Sequence, residues 1–536
     1  MRGPTHHAES HPRYAELHYT PLGKSLSRLW QPWPEIYLDL PWRITAGRPL
    51  PLLLAFADAH RFPVRLLALE LTLADPRGRL TQQRRDLDIR LETPVGGLVL
   101  LELELEDPGT WELWADLRAE RLPGPGGAAG QEILFRNHLA RGLPEEPLRV
   151  RVDRTPPPLL PGMVQGDPHV HSSATRDMIE FGPPPELLRR AARALDLDWF
   201  ALTDHSYDLD DGVENPRRAD PALPIWRRQQ EWLAAAAATP GPFVMGGEEC
   251  SVGGVGGGIL HLLLLAPDRF WPGSADGGES WLPRRPEWRL PALLEALAGS
   301  GCLPVSAHTG ERPGAGERWL LRRRSWRGED MALLTAHQVL SGGLGAAFRA
   351  GRRLWLEQLA RGRPAVILAG GDSHGHFSLG RSVHVPAWSL GWGRSQLFGR
   401  HRSACLLAAG EALAPPASDQ PDQRPRRLLA ELEAGRTLLT DGPLLWFTGG
   451  GQTCLGGILA GGGSHLHVRL RDDAGPLRWL RLWGGAAAGE TLLAEWRKLP
   501  PTAELPLSSA WRAHRWLRAE LRQADGFAMT NAVRPD

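Results

Sequence analysis

The sequence predicts an α/β protein, a parallel barrel of seven or eight strands with a smaller β-rich module on either side. Three observations predict it. Between about residues 164 and 440, helix-like and short apolar segments alternate. Polar side chains of metal-ligand type collect where those apolar segments end. Outside that span, apolar and polar residues alternate at period two between Asp-Pro and Pro-Gly turns, the pattern of half-buried strands.

In chain order, "RLLALELTLADPRG", "LVLLELELEDPGTWELWADL" and "PLRVRVD" read as strands of an N-terminal β-sandwich over residues 1–160. The proline-rich "RTPPPLLPG" at 154–162 is a stiff linker. "PPPELLRRAARALDL" then opens with prolines, which suit a first helical turn, and is followed by the strand "DWFALTDH". Helix "IWRRQQEWLAAAAA" precedes strand "PFVMGGEE", helix "LPALLEALAGSG" precedes "CLPVSAH", and helix "RRLWLEQLARGR" precedes "PAVILAGGDSH". This alternation sets the expected barrel domain at 164–440. After "RPRRLLAELEAGRTLLTDGP", the stretches "SHLHVRLRD", "LRWLRLWGG" and "WLRAELRQADG" predict a C-terminal β-sandwich over 443–536.

The bulk numbers fit several domains. A chain of 536 residues exceeds one hydrophobic core. Hydrophobic content of 42% and charged content of 23% describe an ordinary globular protein. A formal charge of +1 gives no sign of a nucleic-acid or membrane-surface partner. Lys24 and Lys498 are the only lysines, and with 61 Gly and 48 Pro the arginine excess reads as codon bias of a GC-rich genome. Cys250, Cys302, Cys405 and Cys454 form no C-x-x-C pair, which fits a reducing cytosol. The first residues lack an apolar signal-peptide core, and "ILHLLLLAP" falls short of the roughly 20 residues a bilayer needs. A cytoplasmic protein is expected.

The strand ends carry the chemistry. His169 and His171, with Asp177 beyond, follow the first apolar strand, and Asp204 and His205 end "LTDHS". Glu248 and Glu249 stand in "GGEECS", His261 in "GILHLLLL", His308 in "VSAHTG", and Asp372 and His374 in "GGDSHG". Residues at i and i+2 of an extended segment face one side, so His169 with His171, and Asp372 with His374, can present two donors to one point. Imidazole nitrogen and carboxylate oxygen suit zinc, manganese or iron. One HxH is a weak signal, whereas donors at the ends of many apolar strands are a strong one.

In order, "HVHSSATRD", "TDH", "GEE", "ILH", "SAH" and "DSH" resemble the motifs of the PHP (polymerase and histidinol phosphatase) superfamily of metal-dependent phosphoesterases. The resemblance spans roughly 164–440, and "LEAGRTLLTDGP" with the β tail is similar to its CehA/McbA-type, carbaryl-hydrolase-like branch. It implies a PHP-type distorted (β/α)7 barrel and two or three divalent metals. Carried over residue by residue, His169, His171, Glu249 and Asp372 would hold one metal. Glu249 would bridge to a second on His261 and His308, and Asp177, His205 and His374 would hold a third. Asp177 stands where many members have histidine, and Glu248 remains an alternative to Glu249. The implied activity is phosphoester hydrolysis by a metal-bridging hydroxide on a small anionic phosphate ester, with carboxylic ester or carbamate hydrolysis as the alternative. Asp372 and His374 would belong to the catalytic set, and Arg381 and His376 are candidate substrate contacts.

Competing readings exist. "GDSHG" matches the G-x-S-x-G nucleophile elbow, with Ser373 as nucleophile, Asp422 or Asp441 as acid and His384 or His401 as base. An elbow needs a helix straight after it, and "HFSLGRSVHVPAW" is glycine-broken and strand-like. A relic barrel with a binding role is a third reading, against which every ligand position carries a competent donor. Asp167 and Asp204 read as turn residues or as partners that orient a ligand histidine. His465 and His467 in "SHLHVRL" form an HxH with no acidic strand ends around it, an internal control expected to be surface. "GGVGGGIL" lacks the Lys-Ser/Thr of a phosphate loop and reads as a turn near His261.

Overall fold

A computed structural model describes residues 12–15, 34–124, 129–136, 147–175, 182–213, 218–276, 285–378, 380–385, 388–392, 396–407, 413–415, 422–460 and 463–536. Two compact units emerge. The first comprises Met1–Pro156, His171–Asp196 and Ser373–Phe398, and the second Pro157–Val170, Leu197–Asp372 and Gly399–Asp536.

In the first unit, Glu35–Asp39, Pro49–Ala57 and Val95–Glu104 form one sheet. Arg43–Thr45, Leu148–Asp153, Gly109–Arg121, Val64–Ala74 and Leu80–Leu91 form another, with Glu132–Arg136 paired to Gly109–Arg121. Period two decides the packing. Leu113, Ala115, Leu117 and Ala119 are fully buried and share a core with Leu50, Leu52 and Leu54 of the facing sheet. At about 1.5–3 kcal/mol per fully buried leucine, this face dominates the unit's stability. The Asp39 carboxylate accepts backbone N–H bonds from Phe377 (3.1 Å) and Ser378 (3.0 Å), which fixes the chain just after His374 and His376.

The second unit is built on one long mixed sheet. Its order runs Val366–Gly370, Ala336–Ser341, Leu303–Ser306, Ile259–Leu265, Phe243–Gly253, Trp199–Leu202, Met163–Val170, Arg402–Leu406, Thr437–Thr440, Phe527–Thr530, Trp516–Gln523, Leu477–Ala486, Gly489–Trp496. A four-stranded sheet, Gln452–Cys454, Leu444–Gly449, His465–Arg469 and Thr502–Pro506, contributes Leu445, Phe447, Leu466 and Val468 to a core shared with Leu517 and Leu521. Helices Pro224–Ala237, Leu290–Leu297, Ala346–Ala360 and Arg424–Glu433 also lie in this unit.

This architecture corrects the predicted α/β fold and its PHP-type, TIM-like (β/α)7 barrel. The described residues are mostly β, 43% strand against 18% helix. Two parallel triplets do exist: Met163–Val170, Trp199–Leu202 and Phe243–Gly253, and Leu303–Ser306, Ala336–Ser341 and Val366–Gly370. Ile259–Leu265 stands between them, antiparallel to both neighbours. Glycine is the cause. Gly257 (φ 81°) and Gly258 (φ 73°) adopt left-handed backbone, and Gly254 N–H bonds to Gly258 O at 3.0 Å. The chain therefore doubles straight back where a parallel barrel needs a helical crossover. At its other side, Met163–Val170 pairs antiparallel with Arg402–Leu406, and the sheet runs on into the C-terminal strands. The expected boundary near 443 thus falls inside a continuous sheet.

Among the described residues no helix is long and apolar enough to cross a membrane. All four cysteines are free.

Candidate metal centre

Glu248 and Glu249 are neighbours on Phe243–Gly253, so their side chains leave opposite faces. Glu248 turns to Ser206 Oγ (3.1 Å) and to the Trp271 N–H (3.2 Å), and burial raises its pKa to about 8. Glu249, 1% exposed, turns to four imidazoles. Its Oε2 lies 3.3 Å from His169 Nε2 and 3.2 Å from His205 Nδ1. Its Oε1 lies 2.9 Å from His261 Nδ1 and 3.0 Å from His308 Nε2. His169 Nε2 is also 3.3 Å from Asp372 Oδ1.

Each donor lies in a strand or shortly after one. His169 lies within Met163–Val170, His205 shortly after Trp199–Leu202, and His261 within Ile259–Leu265. His308 and Asp372 follow Leu303–Ser306 and Val366–Gly370. Both have left-handed backbone, φ 30° and 51°, which is uncommon for non-glycine residues though tolerated best by Asn, Asp and His. Asp167 ties these ends together by accepting backbone N–H bonds from His169 (3.2 Å), Gly371 (2.8 Å) and Gly399 (3.0 Å). Burial nonetheless holds its carboxyl up at about 6. Asp204 accepts from Gln229 Nε2 at 2.6 Å. Both are structural partners.

The ring orientations are set from behind. His169 Nδ1 meets Gln338 Oε1 at 2.8 Å; an amide oxygen only accepts, so Nδ1 carries the proton and Nε2 faces the carboxylates. The same oxygen accepts the His308 N–H (2.9 Å), while Gln338 Nε2 donates to Gly370 O (3.1 Å). For His261 the roles reverse, with Nε2 on Asp276 Oδ2 at 3.0 Å and Nδ1 toward Glu249. His308 Nδ1 faces Glu311 Oε2 at 3.2 Å.

Electrostatics favour positive charge here. Burial and Arg323 push the His261 pKa down, yet Glu249 and Asp276 carry it up to about 9. Against burial, Glu311 and Glu249 carry His308 to about 10, and Asp372 and Glu249 raise His169. Buried imidazoles without acidic partners move the other way; burial takes His337 and His401 down to about 3.

The donors suit a divalent cation. One atom each from His169, Glu249 and Asp372 lies within 4.8 Å of the others, as do atoms from His205, Glu249 and His261, and from His308, Glu311 and Asp372. The first two sets are buried, while in the third His308 is half-buried and Glu311 exposed; such N/O sets could hold zinc, manganese or iron. In the first unit the rings of His171 and His374 stack with centroids 3.9 Å apart, and His171 Nδ1 meets Thr175 Oγ1 at 3.2 Å. His376, also buried there, points Nδ1 at the His374 N–H (3.3 Å). Asp177 lies outside the described residues, and Arg381 belongs to strand Gly380–Val385. Ser373 Oγ accepts the His376 N–H at 3.2 Å, so its observed partner is backbone, where an activated nucleophile needs an imidazole. In the control pair, His467 stacks on Trp446 (5.0 Å) and meets Thr448 Oγ1 at 2.8 Å, away from the carboxylate centre.

Sequence reasoning missed Gln338, Asp276 and Glu311. Gln338 sits in "AHQVLS", a strand the periodicity did not single out, and Asp276 follows a loop with no ligand spacing. The one available signal was Glu311, three residues after His308.

No family model and no curated protein matches the chain. Among solved structures it is similar to a glycosyl hydrolase family 2 member from Bacteroides cellulosilyticus, at 10% identity and a TM-score of 0.14, over 98% of this chain and 64% of that one. A calcium-binding mutant of Bacteroides uniformis β-glucuronidase 2 aligns at 11% identity and a TM-score of 0.16, over 94% of this chain and 61% of that one. The chain spans less than two-thirds of either structure's length, and TM-scores this low mean that the folds do not superpose.

Proposed function

We propose that this chain is a metal-dependent hydrolase acting first on phosphate esters. The observation that carries the reading is Glu249, one buried carboxylate with four imidazole nitrogens at 2.9–3.3 Å. Four donors converging on one acid, with His169, His261 and His308 each oriented from behind, make a ligand set; a structural histidine needs one partner. Divalent cations bound there would polarise a substrate oxygen and lower the pKa of a water molecule toward neutrality. His169, His205, His261, His308, Glu249 and Asp372 would hold them. Gln338 and Asp276 accept from the outer nitrogens of His169 and His261 and so aim the other nitrogen of each ring inward. Two divalent ions outweigh the charges of Glu249, Asp372 and Glu311, so the site favours an anionic substrate.

The test is metal quantification on purified wild type and Glu249→Gln, followed by turnover of nitrophenyl phosphates, esters and carbamates. The expected result is stoichiometric metal and phosphate-ester turnover in the wild type, with both lost in Glu249→Gln. Wild-type metal at roughly a tenth of an equivalent or less would overturn the metal reading. Turnover of esters or carbamates alone would move the substrate class to neutral carbonyls.

A further inference from the structure

Beside the carboxylate centre the second unit holds an arginine that sequence reading did not select. The backbone of Arg323 forms a bridge with Ile259, and the flanking bonds Ile259 N–H to Arg322 O (2.9 Å) and Arg324 N–H to Ile259 O (3.0 Å) strap it to the strand that carries His261 two residues later. Its Nε donates to Asp276 Oδ2, the same oxygen that meets His261 Nε2. One fully buried carboxylate oxygen therefore fixes a ligand imidazole and a guanidinium side by side. Nη1 has only a long contact, 3.4 Å, to Glu317 Oε1, and Nη2 has no hydrogen-bond partner among the described residues. The side chain is 23% exposed, so part of it reaches solvent.

We propose that Arg323 is the substrate-contacting side chain that takes the non-reacting oxygens of a phosphate-type substrate at this centre, with Asp276 as its positioning residue. A guanidinium presents paired N–H donors that match two phosphate oxygens, and one edge tied to a carboxylate leaves the other pre-organised. The Asp276 charge offsets that of Arg323, so the arginine adds directional donors without repelling bound cations. This rests on the metal-hydrolase reading above.

The experiment uses the full-length, metal-loaded protein with Arg323→Ala, Arg323→Lys and Asp276→Asn. Metal content, calorimetric binding of inorganic phosphate, and KM and kcat for nitrophenyl phosphate and nitrophenyl acetate are measured. Arg323→Ala should keep wild-type metal content, bind phosphate roughly ten- to a hundredfold more weakly and raise KM for the phosphate ester to match, with the acetate unchanged. Arg323→Lys, which keeps a charge opposite Asp276, should recover part of the loss and decides the case where the alanine variant loses its metal. Asp276→Asn should weaken phosphate and metal together. Equal phosphate binding by wild type and Arg323→Lys, or equal loss on phosphate and acetate, overturns the assignment of Arg323 and leaves the phosphoesterase reading standing. A metal-loaded wild type indifferent to phosphate overturns both.

Discussion

At the scale of single residues, the centre depends on which nitrogen of each imidazole is left bare. Gln338 decides this for His169, and leucine there would remove the acceptor that meets Nδ1. Gln338→Leu should weaken metal binding roughly ten- to a hundredfold, read by titration against a chelator of known affinity; unchanged affinity would make Gln338 a packing residue. Protons compete for the same nitrogens. His261 and His308 titrate near 9 and 10 in the metal-free fold, against about 6.5 unfolded. Between those limits the metal-free fold holds more protons than the unfolded chain. Their contribution to stability is therefore complete below about pH 6.5 and lost as pH rises toward 9 to 10. A metal ion displaces the protons, so metal affinity should rise about tenfold per pH unit for each one displaced, and a pH-independent affinity would contradict this assignment. The ligands themselves were legible in sequence because each sits in or beside an apolar run. Gln338 was not, since it lies 169 residues from the ring it orients and matches no ligand type.

Among the secondary elements, the helices and most strands of the second unit were legible from proline starts and apolar runs, while their directions were not. Ile259–Leu265 is apolar enough to be read as a barrel strand, and only the backbone of Gly254–Gly258 reveals that it returns antiparallel. Ala336–Ser341 was passed over because "AHQVLS" mixes histidine and glutamine into a strand buried on both faces. A close approach of helix to strand end also stays hidden in one chain's sequence. A Cβ on Gly310 would lie 1.9 Å from Ala347 O and 2.3 Å from Gly351 N, both backbone atoms of helix Ala346–Ala360. Gly310→Ala must therefore push the helix away or shift the segment that begins at His308. We expect a loss of about 1–3 kcal/mol in denaturant unfolding together with weaker metal binding. Lost stability with metal affinity intact would show that this contact braces the helix without setting His308.

For the molecule as a whole, the ligands in the second unit come from six strands or the residues just after them, spread between His169 and Asp372, so metal binding and folding of this unit must be linked. An unfolded chain cannot gather donors so far apart, and a cation that binds only the folded state stabilises it by RT ln(1 + [L]/Kd). At a thousandfold excess over Kd this is about 4 kcal/mol, enough to move a melting transition by on the order of ten degrees in a domain this large. The first unit buries its own core around Leu52, Leu66 and Leu117, and metal linkage acts on the unfolding of the second. Calorimetry of the wild type with and without a strong chelator should show one transition falling by that order, and Glu249→Gln should melt near the chelated wild type whether or not metal is added. The carboxylate is the discriminating group, because Gln keeps its size and removes its charge. If the chelator shifted wild type and Glu249→Gln by the same amount, the stabilising ion would sit elsewhere, and the four imidazoles around Glu249 would be a buried hydrogen-bond cluster.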